Sequence, residues 1–582
     1  MNNKIIYFGV LFLVLFSNGI QAQKNENNTI GTQEVFIIKS YTPSLSDAFK
    51  INSTPKVPDS IVNEGKVLEF NIKSLPVIST FVPNKATPLK LQRRYSVSPY
   101  NTFFSSGFGF KSQLYLDVSS VVALDREQSF GLKLYRDGFE SDVENTLLKS
   151  NQYYSRFGLH HNLRSNYYSV NSLLQFIAAE NNYFGLYERD WDSQIINFLD
   201  PEVKRFFFKL RTHWNWYDSV IKSMEFQANI TTDNFSTSEQ QVTLNSDFEV
   251  PLGDGKIKAL TSLGGINTAF NKSYFEGTTH EKIIGLGSLR LFWQNSSNDL
   301  KLKVGAGISY FQGTTDLSSS LLYYPEVEIS FQEKAAVIAP YFSASGGVTI
   351  NSYQSLSQLN PYLAPTTTLN PTFNKYNSKL GIRSSLASVL NFDFGLVYDQ
   401  IENFMLFERL PFNFENSNDV YGLSNAFENK YSNIEMYGFN AALRVDLAKN
   451  NFIRFETLYR YFESDDQQPL WNIPSLQMNW EGQFKWKERI TFSFQGTMLG
   501  NRTVAFRPIF IDQSAAKVQF IQQTLPIFIS TTSHITVKIF EQFDFFVKAK
   551  INSKGPNGRW AFFKEPPLLF LLGATYKYDF QY

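Results

Sequence analysis

The chain ends in a segment, FLLGATYKYDFQY, in which apolar and polar side chains alternate up to the final residue. One face of this segment would carry Ala574, Tyr576, Tyr578, Phe580 and Tyr582, and the residues between them are polar. A period of two is that of a β-strand with one face in an apolar environment and the other in water. Two structures accommodate such a strand: the edge of a soluble β-sandwich, or the wall of a β-barrel that spans a membrane.

Strands of the same two-faced kind recur from Asn101 to the C-terminus. Aromatic residues make up 16 % of the chain and fall on one face of most of these strands. In water those faces would need covering layers, and the sequence has no helical periodicity of useful length to supply them. The pattern therefore favours an all-β transmembrane antiparallel barrel, in which Trp480 and Phe545 face lipid and Lys209 and Lys548 face the lumen.

Short turns alternate with longer segments between the strands, as in barrels with short periplasmic turns and longer outer loops. If Asn101 to Phe108 is the first strand, ten turns and eleven loops predict 22 strands, within a range of 16 to 22. The predicted turns are Asp125–Gln128, Arg164–Asn166, Tyr217–Ser219, Leu252–Gly255, Gln294–Asp299, Gln332–Ala335, Leu390–Asn391, Ala448–Asn451, Lys487–Arg489 and Phe540–Gln542. The longest predicted loops are Glu180–Val203, Asn351–Tyr376, Phe412–Tyr431, Gly500–Gln523 and Ser553–Pro567.

Three segments are predicted along the chain. Residues 1–22 read as a signal peptide, because a short apolar run ends in a small-residue cleavage pattern. Residues 23–99 contain seven prolines and read as an extended periplasmic leader or partial plug, since proline cannot donate to a sheet ladder. Residues 100–582 form the barrel.

A barrel of this width needs a plug, because 22 strands enclose a lumen that is normally filled. The apolar pieces Val35–Ile38 and Leu75–Val82 are the largest such clusters outside the signal peptide and the strands. We expect them to close the barrel from the periplasmic side. Infolded outer loops or a partner protein could close it instead, and the leader would then be a mobile tether.

The sequence offers no pattern for catalysis, a cofactor or a metal site. It has no cysteine, its five histidines are scattered, and His160 and His161 point to opposite faces of a strand. The net charge of +1 comes without a basic run, which argues against nucleic acid as a partner. We therefore predict that the protein is not an enzyme.

The terminal aromatic residues Tyr576, Tyr578, Phe580 and Tyr582 resemble the C-terminal signal that the barrel-assembly machinery reads in outer-membrane barrels. The opening IKSYTPSLSDAFKI and the loop LNPYLAPTTTLNPTFNKY, together with the strand count and the signal peptide, resemble the TonB-dependent-receptor-like barrels of Bacteroidota. Family members with a full transporter layout carry a complete plug domain, and many add a carboxypeptidase-like domain; we expect neither here.

The resemblance implies residence in the outer membrane of a Gram-negative cell, with a periplasmic N-terminus and a role as a receptor for solute uptake. The family's TonB box is a short strand-adding segment. The candidate for it is the segment Glu34, Val35, Phe36, Ile37 and Ile38; the alternative is a short apolar piece that docks on the barrel. Expected partners are outer-membrane lipid, the assembly machinery, and TonB or another partner subunit. The alternative is a non-transporting accessory subunit of a secretion, gliding or barrel-assembly complex.

Overall fold

The structure is a computed structural model that describes residues 100–187, 199–272, 280–297, 299–313, 319–331, 338–386, 389–411, 420–465, 469–506, 521–554 and 558–580. The predicted signal peptide and leader lie outside the described residues, as does Tyr582. Within the described ranges, no helix is long and apolar enough to cross a membrane.

The described residues form 24 β-strands and one short α-helix. The strands are β1 (Thr102–Gly109), β2 (Gln113–Ala123), β3 (Gln128–Ser141), β4 (Ser150–Arg164), β5 (Tyr168–Asn182), β6 (Glu202–Trp216), β7 (Ile221–Asp233), β8 (Ser238–Leu252), β9 (Gly255–Phe270), β10 (His280–Ser296), β11 (Leu300–Gly313), β12 (Ser320–Phe331), β13 (Ala339–Thr349), β14 (Thr372–Leu386), β15 (Leu390–Arg409), β16 (Phe427–Ala448), β17 (Asn451–Ser464), β18 (Leu476–Trp486), β19 (Ile490–Leu499), β20 (Arg502–Phe506), β21 (Ile521–Leu525), β22 (Phe528–Lys538), β23 (Phe543–Asn552) and β24 (Leu568–Tyr578). The helix is α1 (Tyr353–Leu359), and a single 3-10 turn covers Val420–Gly422.

Twenty-two of these strands form one antiparallel sheet that closes on itself. Each pairs with the next along the chain, and the last strand, β24, pairs with β1 from Thr102–Tyr578 to Gly109–Leu571. The remaining two, β20 and β21, form a separate two-stranded ribbon between β19 and β22. The predicted fold class and strand number are confirmed.

The connections divide the barrel into two ends. At one end, which we call the turn end, the connections coincide with eight of the ten predicted turns, and the predicted turn Gln332–Ala335 lies outside the described residues. For the predicted turn Leu390–Asn391 the connection lies just before Leu390, because β15 already begins at that residue. The five long segments all lie at the opposite end, which we call the loop end. The sequence did not predict α1 or the β20–β21 ribbon, both of which fall inside these long segments.

The two faces of the wall agree with the sequence pattern. Lys548 on β23 forms a 2.5 Å ion pair with Asp137 on β3. Since β24, β1 and β2 separate β23 from β3 in the sheet, the two side chains meet on the concave, luminal side of the wall. Phe545 points the other way and is exposed on the outer surface. Trp480 lies over Gly496 of the paired strand, where an added Cβ would approach the indole to within 2.4 Å.

We predict that a charge on the outer face near the middle of a strand destabilises the barrel. Leu289 lies midway along β10 and is 41 % exposed on that face. Replacing Leu289 by Arg should lower the free energy of unfolding in lipid vesicles by about 2–4 kcal/mol if this band is buried in hydrocarbon. Urea denaturation of the folded barrel in vesicles measures the change.

The neighbouring residue provides the control. Ser288 points into the lumen, where Glu225 and Asp247 lie nearby, so Ser288→Arg should change the unfolding free energy little. Equal losses in the two variants would contradict the assignment of the outer face to lipid.

Candidate functional site

Five long loops meet at the loop end of the barrel. We call them loop A (183–201), loop B (350–371), loop C (410–426), loop D (500–527, containing the ribbon) and loop E (553–567). The strands that carry them are spread around the ring, so the loops can touch one another only by folding over the barrel's mouth. Their described residues form what we call the loop lid.

The loop lid has an apolar core made of two clusters of buried side chains. Its larger cluster draws side chains from loops A, B, D and E and from the adjoining strand ends: Phe184, Tyr187, Phe270, Tyr353, Leu356, Leu363, Leu369, Phe407, Phe427, Val504, Leu525, Trp560, Ala561, Phe562 and Phe563. A second cluster adds loop C and joins Tyr183, Val203, Ala364, Leu410, Val420, Tyr421 and Ala426. Fully burying one large apolar side chain stabilises by about 1.5–3 kcal/mol, so these contacts can hold the lid closed.

Aromatic rings fasten loop E to its neighbours. The rings of Tyr362 and Phe563 stack with centroids 3.5 Å apart, and Phe184 packs edge-on against Phe563 at 5.1 Å. Trp560 packs edge-on against Phe407 of β15 at 5.1 Å. The hydroxyl of Tyr187 donates to the carbonyl oxygen of Phe562 at 2.8 Å. Loop E is therefore fixed to loop A, loop B and the wall.

Arg205 attaches loop B to the barrel wall. This residue lies on the inner face of β6 and is 1 % exposed. Its guanidinium donates to the carbonyl oxygens of Pro361 at 2.7 Å and Leu363 at 2.8 Å, and to the hydroxyl of Tyr353 at 3.2 Å. Tyr183 also donates to the carbonyl of Leu363, at 2.6 Å. A buried guanidinium is stable only when its donors are satisfied, and here the backbone of loop B satisfies them.

Two acidic residues of the wall hold the start of α1. The carboxylate of Glu239 accepts from the backbone N–H groups of Tyr353 at 2.6 Å and Gln354 at 2.9 Å. The hydroxyl of Thr268 also donates to Glu239, at 2.9 Å. The Tyr353 hydroxyl donates to Asp233 at 2.7 Å. Loop B is thus attached to the wall at two places. Glu239 and Asp233 accept hydrogen bonds from the start of α1, and Arg205 donates to the carbonyls that follow the helix.

Burial fixes the protonation of the lid tyrosines. It raises the pKa of Tyr183 to about 12 and that of Tyr353 well above the ordinary value of a phenol. In both cases the largest cause is desolvation, which penalises the phenolate. Both hydroxyls therefore remain donors at physiological pH, as their bonds to Leu363 and Asp233 require.

Those site residues predicted from the sequence that the structure describes lie outside the loop lid. The segment Glu34–Ile38 is outside the described residues. Tyr576 and Tyr578 are exposed on the outer face of the last strand, and Phe580 is exposed just beyond it. The side chain of Asn101 exchanges two hydrogen bonds with the backbone of Phe580, at 2.6 and 2.8 Å, which fixes the end of the chain to its first strand.

Sequence reasoning missed the wall residues that hold the lid. Alternation along β6 puts Arg205 on the same face as Lys209, and this pattern does not distinguish Arg205 from any other luminal residue. Among the described residues, no group of three or more His, Cys, Asp or Glu side chains could hold a metal ion. His161 stacks on Phe130 with centroids 4.5 Å apart.

No protein-family model matches the sequence, and no curated protein matches it. Several solved structures do match this chain in fold. The siderophore receptor PirA from Acinetobacter baumannii superposes with a TM-score of 0.59 at 11 % identity, covering 82 % of this chain and 80 % of the receptor. The FrpB iron transporter from Neisseria meningitidis gives 0.57 at 10 %, with 82 % and 81 % covered. The copper transporter OprC gives 0.54 at 9 %, with 82 % and 79 % covered. The likeness is one of fold.

We predict that Arg205 controls the stability of the lid independently of the wall. Replacing Arg205 by Met removes the donor to the carbonyl of Pro361 and leaves that of Leu363 with the Tyr183 hydroxyl alone, at about 1–3 kcal/mol for each lost bond. Backbone amides of residues 353–363 should then exchange with deuterium at least about tenfold faster, because local opening becomes less costly. Mass spectrometry of the exchanged protein measures this rate.

Arg211 is the matched control, because it lies on the same strand and face but is 54 % exposed and pairs with Glu225. Arg211→Met should leave exchange in loop B unchanged. The anchoring role of Arg205 would be refuted by wild-type exchange rates in Arg205→Met.

Proposed function

We propose that this protein is an outer-membrane barrel, similar to TonB-dependent receptors, that serves solute uptake and whose passage is gated by the loop lid. The observation that carries the proposal is a 22-strand closed barrel whose mouth is covered by loops. A wall of this size encloses a lumen wide enough for a solute, and a lid built from loops can open without breaking the wall.

The fold comparisons support the transport class. The matching solved structures are a siderophore receptor, an iron transporter and a copper transporter, and each covers about four-fifths of this chain. The outward aromatic and aliphatic band, of which Phe545 and Leu289 are members, supports residence in the outer membrane. Short connections at one end support a periplasmic turn end, and hence a periplasmic N-terminus.

The segments before the barrel complete the proposal. Residues 1–22 would direct export, and residues 23–99 would form the periplasmic leader. Glu34–Ile38 would add a strand to TonB or another periplasmic partner. The terminal residues Tyr576, Tyr578, Phe580 and Tyr582 would be read by the barrel-assembly machinery.

The size of the lid core favours a second candidate function. Two buried clusters resemble the interior of a folded domain, and a barrel kept shut in this way suits a non-transporting subunit of an outer-membrane complex. Such a subunit would present its outer loops and leader to partners in secretion, gliding or barrel assembly. Pull-down of the native protein separates the two: stoichiometric partners and a barrel that never conducts would favour the subunit.

A reversible lock on the lid tests the gating function. Leu363 of loop B and Phe427 of β16 form a β-bridge, so their separation suits a disulfide. The chain has no native cysteine, so Leu363→Cys combined with Phe427→Cys gives a single defined pair. In planar bilayers the oxidised protein should conduct at least about tenfold less than the same protein after reduction, because the lid constricts the path.

The comparison of redox states removes the effect of the substitutions themselves, since both states carry them. Each single cysteine variant should respond to neither oxidant nor reductant. The same pair of recordings is made on the double variant without residues 23–97, so that closure by the leader cannot mask the effect of the lid; identical conductance in its two redox states would eliminate the lid as the gate.

The leader supplies an independent prediction. If Val35–Ile38 and Leu75–Val82 close the barrel from the periplasmic side, a protein lacking residues 23–97 should conduct more than the mature chain when the lid lock is reduced. Planar-bilayer recording again gives the measurement. Equal conductance with and without the leader would make it a tether and would favour the subunit function.

A further inference from the structure

A cavity of about 610 Å³ lies between the loop lid and the wall formed by β4, β5 and β6. Gln358 and Tyr362 of loop B and Trp560 and Phe563 of loop E border it on the lid side. Its volume is that of a pocket for a small organic molecule.

The cavity extends from the lid into the lumen. Arg205, which touches loop B, marks the level of the lid on β6. Lys209 also lines the cavity and lies four residues further along the same strand toward the turn end, or about 13 Å at the rise of an extended chain. A molecule in this cavity would therefore contact both the lid and the wall beneath it.

The charges around the cavity are strongly unequal. Six lining residues are basic and one, Glu565, is acidic; the basic residues are Arg156, Arg205, Lys209, Lys550, Arg559 and Lys564. Glu565 is already paired with Lys550 at 3.1 Å. Arg205 is fully engaged with loop B. The remaining positive charge has no acidic counterpart in the lining.

Two basic side chains of the wall stand without anionic partners among the described residues. The guanidinium of Arg156 lies over the ring of Tyr135 at 5.6 Å, and its Nε is buried without a hydrogen-bond acceptor. Lys209 is half-buried and makes no ion pair with a described residue, whereas Arg211 on the same face pairs with Glu225. A buried donor without an acceptor is costly, and an anion entering the cavity would satisfy both side chains.

The rest of the lining suits an aromatic or apolar body. Tyr154, Trp560 and Phe563 supply aromatic surface around the basic groups. Aromatic walls with a few polar groups that fix orientation are typical of sites for small organic molecules. A fully hydrated inorganic ion would leave this surface unused.

We propose that this cavity binds a small organic anion with an aromatic or apolar body, whose anionic group is held by Arg156 and Lys209. As a statement about cargo, the proposal rests on the proposed uptake function and names the chemical class of its solute. Binding itself can be measured without transport.

Calorimetric titration of the purified mature protein in detergent tests the site with three probes. Phenyl phosphate carries the ring and the anion, phenyl β-glucoside carries the ring without charge, and inorganic phosphate carries the charge without the ring. We expect phenyl phosphate to bind at one site per chain, phenyl glucoside not to bind, and inorganic phosphate to bind at least about tenfold more weakly, which corresponds to about 1.4 kcal/mol.

Substitutions place the binding in this cavity. Lys209→Gln and Arg156→Gln should each weaken phenyl phosphate binding at least about tenfold, because each removes a charge-assisted hydrogen bond. Lys209→Arg should retain binding within about threefold, since it keeps the charge. Arg211→Gln, on the same strand and face but outside the cavity, should bind like the wild type. Circular dichroism confirms that each variant is folded.

Absence of phenyl phosphate binding, or equal binding in Lys209→Gln and wild type, would overturn the proposal. Inorganic phosphate binding as tightly as phenyl phosphate would overturn the assignment of an organic body. The outcome is separate from that of the lid lock: binding that follows the expected pattern in a barrel that never conducts would refute uptake and leave the anion site standing.

Discussion

The pairing of β1 with β24 is the constraint on which the rest of the structure depends. A strand with one face in an apolar environment must find partners for its N–H and C=O groups within the sheet, because an apolar environment offers none. The ladder from Thr102–Tyr578 to Gly109–Leu571 supplies the last of these partners and leaves the wall without an edge. The hydrogen bonds between Asn101 and Phe580 extend that closure by one more contact at the turn end.

Closure of a wall this wide leaves a lumen that must be covered, and at the loop end the loops cover it. Side chains cannot fill the interior of a 22-strand barrel, so other parts of the chain must cover it or water will pass through. At the loop end the cover has an apolar core, and this core also needs attachment to a polar lumen. Three side chains of the wall provide that attachment. Arg205 donates to a carbonyl of loop B, and Glu239 and Asp233 accept hydrogen bonds from Tyr353 of the same loop. The desolvation of these charges is offset by the bonds that hold the lid in place.

The sequence predicts the wall well because the wall repeats. Alternation around Phe545 and Lys548 assigns a face to each residue, and a slip by one position would reverse every assignment. The lid has no such period. Tyr183 contacts Leu363 and Tyr187 contacts Phe562 only after closure brings distant segments together, and nothing in either segment marks the other as its partner. Helix α1 has seven residues, too few for a helical period to stand out, and the β20–β21 ribbon carries no long alternation.

The sequence separations between contacting residues of the lid indicate when the lid forms during folding. The hydrogen bond from Tyr187 to Phe562 spans 375 positions, and that from Asn425 to Tyr183 spans 242. Contacts between such distant residues form late, since the entropy of closing the intervening chain must first be offset by other contacts. Loop E lies immediately before the last strand, so its aromatic residues reach loop A only when almost the whole wall is present. A covered mouth therefore indicates that assembly has finished, and a barrel missing its final strands would lack the contacts that fix loop E to the lid.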